Sequence, residues 1–574
     1  MSSEIAIQEE MAPEGEIARG PQEPRRSNPD GLIERWLNQH LDLVALAVTV
    51  AGLIMRVYMA VGSYLNPDEA LHYLMLNQPS LLLAYKASLT NAHPPLIYFL
   101  VYFFRILGRS ELMLRLPSVL AGTALCWVTY KWISVMWGKT AGAIGLILVS
   151  LSPAFVALSA ELRSYALLLL FETAALYLVE VALRESSARK MWYSTICLYL
   201  ALLSHYSAIF FAAAAGVYAL ARLAEMRSPR KILFAWAAGQ AGAVAILAFL
   251  YVTHISKIRN SISAWAMPFD QSYYRLGTGN FFAFAQTHTL EFFNYLFENQ
   301  YTASSMFLAW VVAVALLLYN DWKPNDGRDH ARFSGVLLLF PFIAAWVGAI
   351  AGIYPYVGDR HIVFLAPFVI AAVSFLLASV FQRKIWAGVV MAALLVTATI
   401  TSGKTFEPYI SRENQNRTLM VAATNQIRQN IPKSNLIMTD LQSGVALTYY
   451  LCGPKAEFPV RMNDPAEFFD FSCDGRFILS FRVWKISVAE FPIRFQTMAR
   501  RRNLQPGDRV WYFQDGWGLN LNRTLPWARP EFRCMVTQKF GGNISIMPFD
   551  VGPDLMPVAT VTSCPPPAFN SFEM

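Results

Sequence analysis

The chain has 574 residues, 55% of them hydrophobic and only 15% charged, with a mean hydropathy of +0.36 and a formal net charge of +8. A soluble domain carries about 25% charged residues, so an ordinary soluble protein is excluded. Nor does the positive balance point to nucleic acid: Lys and Arg gather in short turns between apolar runs, where they set membrane topology.

Residues 1–40 are rich in Pro, Glu and Arg and read as a cytosolic, largely disordered tail. The apolar run at about 41–61 follows no cleavage signal and is expected to stay as an anchor. Ten more spans are predicted at about 115–137, 140–158, 164–183, 191–204, 206–221, 232–253, 303–320, 333–353, 361–381 and 385–402. Backbone groups in lipid must bond within their own segment, so these spans are helices. The segment Pro94–Leu107 is apolar as well. At ~1.5 Å per residue it covers about 21 Å, short of the ~30 Å hydrocarbon core, and it reads as a helix lying along the interface. With it set aside, five basic turns fall on one side of the membrane. They carry Lys131 and Lys139; Arg184, Arg189 and Lys190; Arg222, Arg227, Arg230 and Lys231; Lys323, Arg328 and Arg332; and Arg383 and Lys384. The positive-inside rule then puts this side in the cytosol and the C-terminal part outside.

The predicted organisation is a tail at 1–40, a transmembrane bundle at 41–402 and an outer α/β domain at 403–574. In the last of these, "VAATNQIRQNIPKSNLIMTDLQSGVALTYYL" reads as helix, buried strand and helix. "RFILSFRVWKI" and "DRVWYFQDG" read as further strands. Cys126 and Cys197 sit in apolar runs as inert thiols. Cys452, Cys473, Cys534 and Cys564 fall where an oxidising compartment permits disulfides, with no pairing readable from spacing.

The chemistry-bearing residues gather in the outer loops. In "YLNPDEALHY", Asp68, Glu69 and His72 share one helical face, and Asn66 or Asp68 can cap the helix. Two adjacent carboxylates at a low-dielectric interface repel, so one is expected to titrate above a free Asp, as suits a general base; a solvated cap reads equally well. Glu-x-x-His could also serve a metal. His93 precedes the interfacial helix, and Glu111 and Arg115 stand at i,i+4 at the mouth of the second span, where a structural ion pair is the bland alternative. Glu161, Arg163 and Tyr165 interrupt apolar sequence, His205 sits at a tight outer turn, and Arg360 and His361 open a late span. Charge in such places is costly unless paired or wet. Any one of these residues could be a snorkelling anchor. Five loops converging on one face suggest a site where arginines hold a phosphate and a carboxylate takes a proton. No nucleotide-binding loop is present, so the energy must arrive on an activated substrate. A polyprenyl-phosphate sugar meets that need, because its lipid partitions into the membrane and its phosphate leaves.

"NPDEALHY", "HPPLIYFLVYFFRILGRSELMLRLPSVLAG", "SPAFVALSAELRSYALLLLF" and "DRHIVFLAPF" together resemble the GT-C membrane glycosyltransferases. The type is family 39, which includes protein O-mannosyltransferases and aminoarabinose transferases. The resemblance is clearest over roughly 60–225 and weaker to about 402. It implies an all-α GT-C bundle of about 11 spans with juxtamembrane helices in the first outer loop. It implies an inverting transfer with Asp68 as base, Glu69 supporting it or touching the sugar, and Arg163 and Arg360 on the lipid phosphate. The loop reads Glu-Leu-Arg-Ser-Tyr, without the Asp that some relatives carry a few residues on, which leaves a divalent metal open. No β-trefoil insertion is readable, so the acceptor could be lipid, glycan or protein. The rival from another class is a polyprenyl-lipid or glycolipid flippase, whose signs would be broken helices and mid-membrane polar groups.

Overall fold

The computed structural model describes residues 29–560 except 90, 92, 227, 258–269, 278, 323–331, 384–415, 457–467, 474, 482–486, 519–520, 530–531, 534 and 542. The expected span at 385–402 therefore lies outside the described residues, as do Cys534 and Cys564. By contacts the chain divides at residue 44, and the unit from Ala45 onward holds both the helical bundle and the C-terminal domain.

Among the described residues, seven helices are long and apolar enough to cross a membrane, or eight if one bent pair counts as a single span. The protein is thus a multi-pass helical membrane protein. The bundle runs through α1 (Pro29–Gly62), α5 (Glu111–Trp137), α6 (Lys139–Leu151), α7 (Pro153–Ser159), α8 (Tyr165–Arg184), α9 (Ala188–Ser204), α10 (Ala208–Glu225) and α11 (Arg230–Leu250). It continues with α12 (Phe281–Phe297), α13 (Gln300–Trp322), α14 (Ser334–Ile350) and α15 (Ala366–Arg383). Between α1 and α5 lie α2 (Pro67–Leu76), α3 (Leu81–Ser88) and α4 (Leu96–Phe104). With nine residues, α4 is about 14 Å long and too short to span.

Two predicted elements differ. The run at 140–158 is not one straight helix but α6 and α7, bent by 63°. Pro153 has no N–H to continue α6 and starts α7 instead. The loop at 254–302 contains α12, a seventeen-residue helix whose Phe292 and Phe293 are fully buried. Gln286, His288 and Glu291 interrupt this helix too much for it to read as a span, yet "FFNYLF" is aromatic enough to pack.

The C-terminal α/β domain matches its predicted helix–strand–helix opening: α16 (Arg417–Asn430), β1 (Leu436–Thr439) and α17 (Leu441–Cys452). Strands β2 (Phe468–Cys473), β3 (Arg476–Phe481), β4 (Arg509–Gln514), β5 (Gln538–Phe540), β6 (Ile544–Val551) and β7 (Pro557–Ala559) complete one sheet. Its order is β2-β3-β1-β4-β6-β5, with β7 on β6. β1 runs parallel to β3 and β4, and the other pairings are antiparallel. Cys452 is disulfide-bonded, while Cys126 and Cys197 are free.

This domain packs onto the first loop. Leu71, Leu74 and Met75 of α2 share an apolar core with Val445, Leu447 and Tyr449 of α17. Asn77 donates to the carbonyls of Pro454 at 3.1 Å and Ala456 at 2.7 Å. Tyr450 Oη accepts from the Leu65 N–H at 2.9 Å, and Arg417 Nε donates to Glu111 at 2.7 Å. The domain thus holds the loop that carries Asp68.

Candidate functional site

The start of α2 is set by its own sequence. Asn66 Oδ1 accepts from the Glu69 N–H at 3.0 Å, Glu69 Oε2 accepts from the Asn66 N–H at 3.1 Å, and Pro67 fits the first turn. The helix N-terminus favours anionic side chains there, and Asp68 and Glu69 both occupy it. Their side chains then part company.

Glu69 is sealed, with both it and Arg115 at 0% side-chain exposure. Its Oε1 accepts from Arg115 Nε at 2.7 Å and from the Leu162 N–H at 2.6 Å, and its Oε2 accepts from Arg115 Nη2 at 2.7 Å. Arg115 also donates to the carbonyls of Ala60, Ser63 and Tyr64 at 2.7, 2.9 and 2.8 Å. This knot ties the end of α1, the start of α2, α5 and the loop before α8. The expected sugar contact for Glu69 and substrate contact for Arg115 do not fit such saturated, buried groups; their geometry is that of anchors. The alternative reading of Glu111 and Arg115 as an ion pair with each other gives way to other partners. Arg115 turns beneath α2, while Glu111 accepts from Arg417 and, at 3.1 Å, from Tyr450 Oη.

Asp68 points the other way and keeps 22% side-chain exposure. Arg360 Nη2 donates to its Oδ2 at 2.6 Å, and Arg163 Nη1 lies 3.3 Å from the same oxygen. Burial alone would push this carboxyl up, but Arg163 and Arg360, helped by His72, hold it well below the usual range. For Asp68 the expectation of a raised acid is therefore corrected, because two arginines face it. The raised acid is Glu161, pushed up to about 8 by burial and by the Glu69 charge, against the pull of Arg360 and Arg163.

Short-range geometry aims both arginines. Asp359 Oδ1 accepts from the His361 N–H at 2.8 Å and pairs with His361 Nδ1 at 2.7 Å, starting the 3-10 turn Arg360–Leu365. Arg360 reaches across to α2, and His361 pairs with Asp359. Arg163 sits in the tight turn between α7 and α8, where its N–H bonds the Glu161 carbonyl at 2.8 Å. Its carbonyl accepts from Ser118 Oγ at 2.9 Å, and its Nη2 donates to Tyr165 Oη at 3.4 Å. Three buried groups here are only partly used. Arg163 Nε, Arg360 Nη1 and Glu161 Oε2 have no hydrogen-bond partner. Buried polar atoms left unpaired are costly and mark places where a ligand can repay the cost.

A ring cluster borders Asp68. His72 Nδ1 donates to the Asp68 carbonyl at 2.6 Å, which fixes the proton on that nitrogen. Its ring stacks on Tyr98 at 5.2 Å and lies 5.2 Å from His93. His93 lies 5.5 Å from His205, and His205 lies 5.2 Å from Tyr165. Burial and then Arg163 push His72 down to about 3; burial, His361 and Arg163 push His205 down to about 3 as well. Both imidazoles are neutral near pH 7. Tyr98 was missed in the sequence; its signal was a tyrosine five residues after His93 on a helix too short to span. Arg56, buried inside α1 with Nη2 on the Val149 carbonyl at 3.1 Å, was missed too, and a lone arginine in an apolar run was its signal.

Among the described residues no three His, Cys, Asp or Glu side chains form a group able to hold a metal ion. The partners of Asp68 are guanidiniums. The residue set does not fit a divalent ion.

The fold and this site define a polytopic membrane protein with an arginine-clamped carboxylate brought together from turns of its bundle. Residues 92–254 match the family model of dolichyl-phosphate-mannose-protein mannosyltransferase. The chain thus resembles the GT-C membrane glycosyltransferases, as its motifs indicate. The matched stretch holds His93, Glu111, Arg115, Glu161, Arg163, Tyr165 and His205, and leaves out Asp68, Glu69, His72, Arg360 and His361. Among solved structures, the chain is similar to ArnT from Cupriavidus metallidurans bound to undecaprenyl phosphate. There the identity is 14% and the TM-score 0.46, over 89% of this chain and 98% of that one. It is similar to the Archaeoglobus fulgidus oligosaccharyltransferase AglB with an inhibitory peptide and a dolichol-phosphate (12%, TM-score 0.48, 83% and 70%). Similarity to the S. cerevisiae Pmt1-Pmt2 complex bound to the sugar donor is 18% with TM-score 0.32, over 37% and 33%. Comparison with curated protein sequences gives no match.

Proposed function

We propose that this protein transfers a sugar from a polyprenyl-phosphate donor to an acceptor, with inversion, on the outer face of the cell inner membrane. The observation that carries the reading is the joint hold of Arg163 and Arg360 on Asp68, with one nitrogen of each arginine buried and unpartnered. Without donor, the two guanidiniums quench the carboxylate. A donor phosphate presents more acceptor oxygens than one carboxylate and competes for both arginines. As they turn to it, Asp68 loses part of the positive field that makes it a weak base. The acceptor O–H or N–H then attacks the anomeric carbon, the C1–O bond to phosphate breaks, and Asp68 takes the acceptor's proton. The arginines keep the departing polyprenyl phosphate and its developing charge. His72, neutral and fixed by the Asp68 carbonyl, and Tyr98 wall the carboxylate on one side.

The description of the matched family supports a dolichyl- or polyprenyl-phosphate donor. Orientation is supported by the opposite ends of α8 and α10. Arg222 lies 3.8 Å from Glu180 and Arg332 lies 2.9 Å from Glu225, so these basic turns gather away from Asp68. The disulfide at Cys452 suits an oxidising compartment for the C-terminal domain. A flippase would need no carboxylate held between two phosphate-seeking arginines. The test is sugar transfer in membranes from a radiolabelled polyprenyl-phosphate sugar by wild type and by Arg163→Ala and Arg360→Ala. Reduced transfer in both variants, with retained folding, supports the enzyme. Lipid translocation without any transfer by the wild type would replace it.

A further inference from the structure

A cleft opens where the C-terminal domain meets the mouth of α5. It has a volume of about 210 Å³ and is lined by Tyr73, Arg109, Glu111, Arg417, Tyr449 and Val421, among others. Tyr73 and Tyr449 meet edge to face at 4.9 Å and form an aromatic wall. Glu111 is occupied by Arg417 Nε and by Tyr450, and only 7% of its side chain is exposed. Arg417 itself is 46% exposed. Arg109 reaches the Pro454 carbonyl through Nη1 at 3.2 Å, and its own carbonyl accepts from Tyr449 Oη at 3.0 Å. Two arginines against one engaged carboxylate leave the cleft with a net positive charge.

Its level in the membrane follows from the fold. The helix α5, long and apolar enough to cross a membrane, begins at Glu111, so the cleft stands at one end of a span. Just before it, Phe103, Ile106 and Leu107 are 55%, 78% and 67% exposed. Three closely spaced apolar side chains left bare at a span mouth belong in lipid. Acyl chains beside them would bring a headgroup to Arg109 and Arg417. Basic pockets beside spans hold lipid phosphates in this way.

We propose that this cleft docks the phosphate headgroup of an anionic membrane lipid. Arg109 and the terminal nitrogens of Arg417 face the phosphate, and Phe103, Ile106 and Leu107 lie along the chains. The proposal is independent of the Asp68 reading, since none of these side chains touches that carboxylate. The test uses the full chain in nanodiscs of phosphatidylcholine with a minor share of phosphatidylglycerol, followed by native mass spectrometry of the retained lipids. Wild type should retain phosphatidylglycerol at least fivefold above its share. Arg109→Gln and Val421→Trp, the second of which fills the cleft and keeps every charge, should each return retention to the nanodisc ratio. Unchanged thermal melting would show that both variants are folded, and if either melts early, Arg109→Lys serves in its place with an intermediate loss expected. Equal enrichment in wild type and both variants would overturn the proposal. So would wild type that binds inorganic phosphate but shows no lipid enrichment.

Discussion

Glu69→Gln separates the two neighbouring carboxylates most sharply. Glu69 and Arg115 are fully buried and joined by two bonds of 2.7 Å each. Removing one charge of a buried pair costs about 3–5 kcal/mol, because the other is left uncompensated. Arg115 keeps the carbonyls of Ala60, Ser63 and Tyr64, which places the cost near the lower end. The expected loss is therefore about 3 kcal/mol, roughly a hundredfold in the folded-to-unfolded ratio. Asp68→Asn, at a position that keeps 22% side-chain exposure, should cost less stability than Glu69→Gln. Denaturant unfolding of both variants in the same detergent gives the comparison. Glu69→Gln with wild-type stability and abolished transfer would refute the anchoring role and return Glu69 to the chemistry.

Removing Arg360 takes away the 2.6 Å partner that holds Asp68 ionised, so the acid limb of the transfer profile should move to higher pH in Arg360→Ala. The donor KM should rise as well, and a pH–rate profile reads both. Glu161, raised to about 8, binds its proton more tightly folded than unfolded. Its stabilising share is full below the unfolded carboxylate range and is lost as pH rises through about 8. Unfolding free energy measured from pH 6 to 9 should fall less steeply in Glu161→Gln than in wild type. His72 and His205, lowered to about 3, act oppositely. The unfolded chain binds their protons first, so stability should drop as pH falls from about 6.5 towards 3, and less so in His205→Gln.

Much of this was legible in the chain. Hydropathy and basic turns marked the spans, and "NPDEALHY", "ELRSY" and "DRH" supplied the carboxylate and both arginines that meet at Asp68. Partner choice was not legible. Spacing puts Glu111 and Arg115 on one face of a helix, but not what packs against that face. Arg115 goes to Glu69, 46 residues away, and Glu111 to Arg417, 306 residues away. The same blindness gave the wrong sense for Asp68. Adjacent carboxylates repel only if they share a space, and here the capping box turns Glu69 inward while Asp68 faces the arginines. Glu161 emerged as the raised acid only once the fold had set it near Glu69. The 63° bend at Pro153 was foreshadowed by "LSPA", but its contact with α12 was not: Ser152 Oγ donates to the Leu296 carbonyl at 2.7 Å.

The central claim is that Asp68 takes the acceptor's proton while Arg163 and Arg360 hold the donor phosphate. Asp68→Asn, purified in detergent, tests it in one preparation that measures both binding of a polyprenyl-phosphate sugar and its transfer to acceptor. Donor affinity should equal or exceed wild type, since the arginines are released from their carboxylate, with transfer reduced by at least a hundredfold. Transfer within a few fold of wild type by this variant would contradict it.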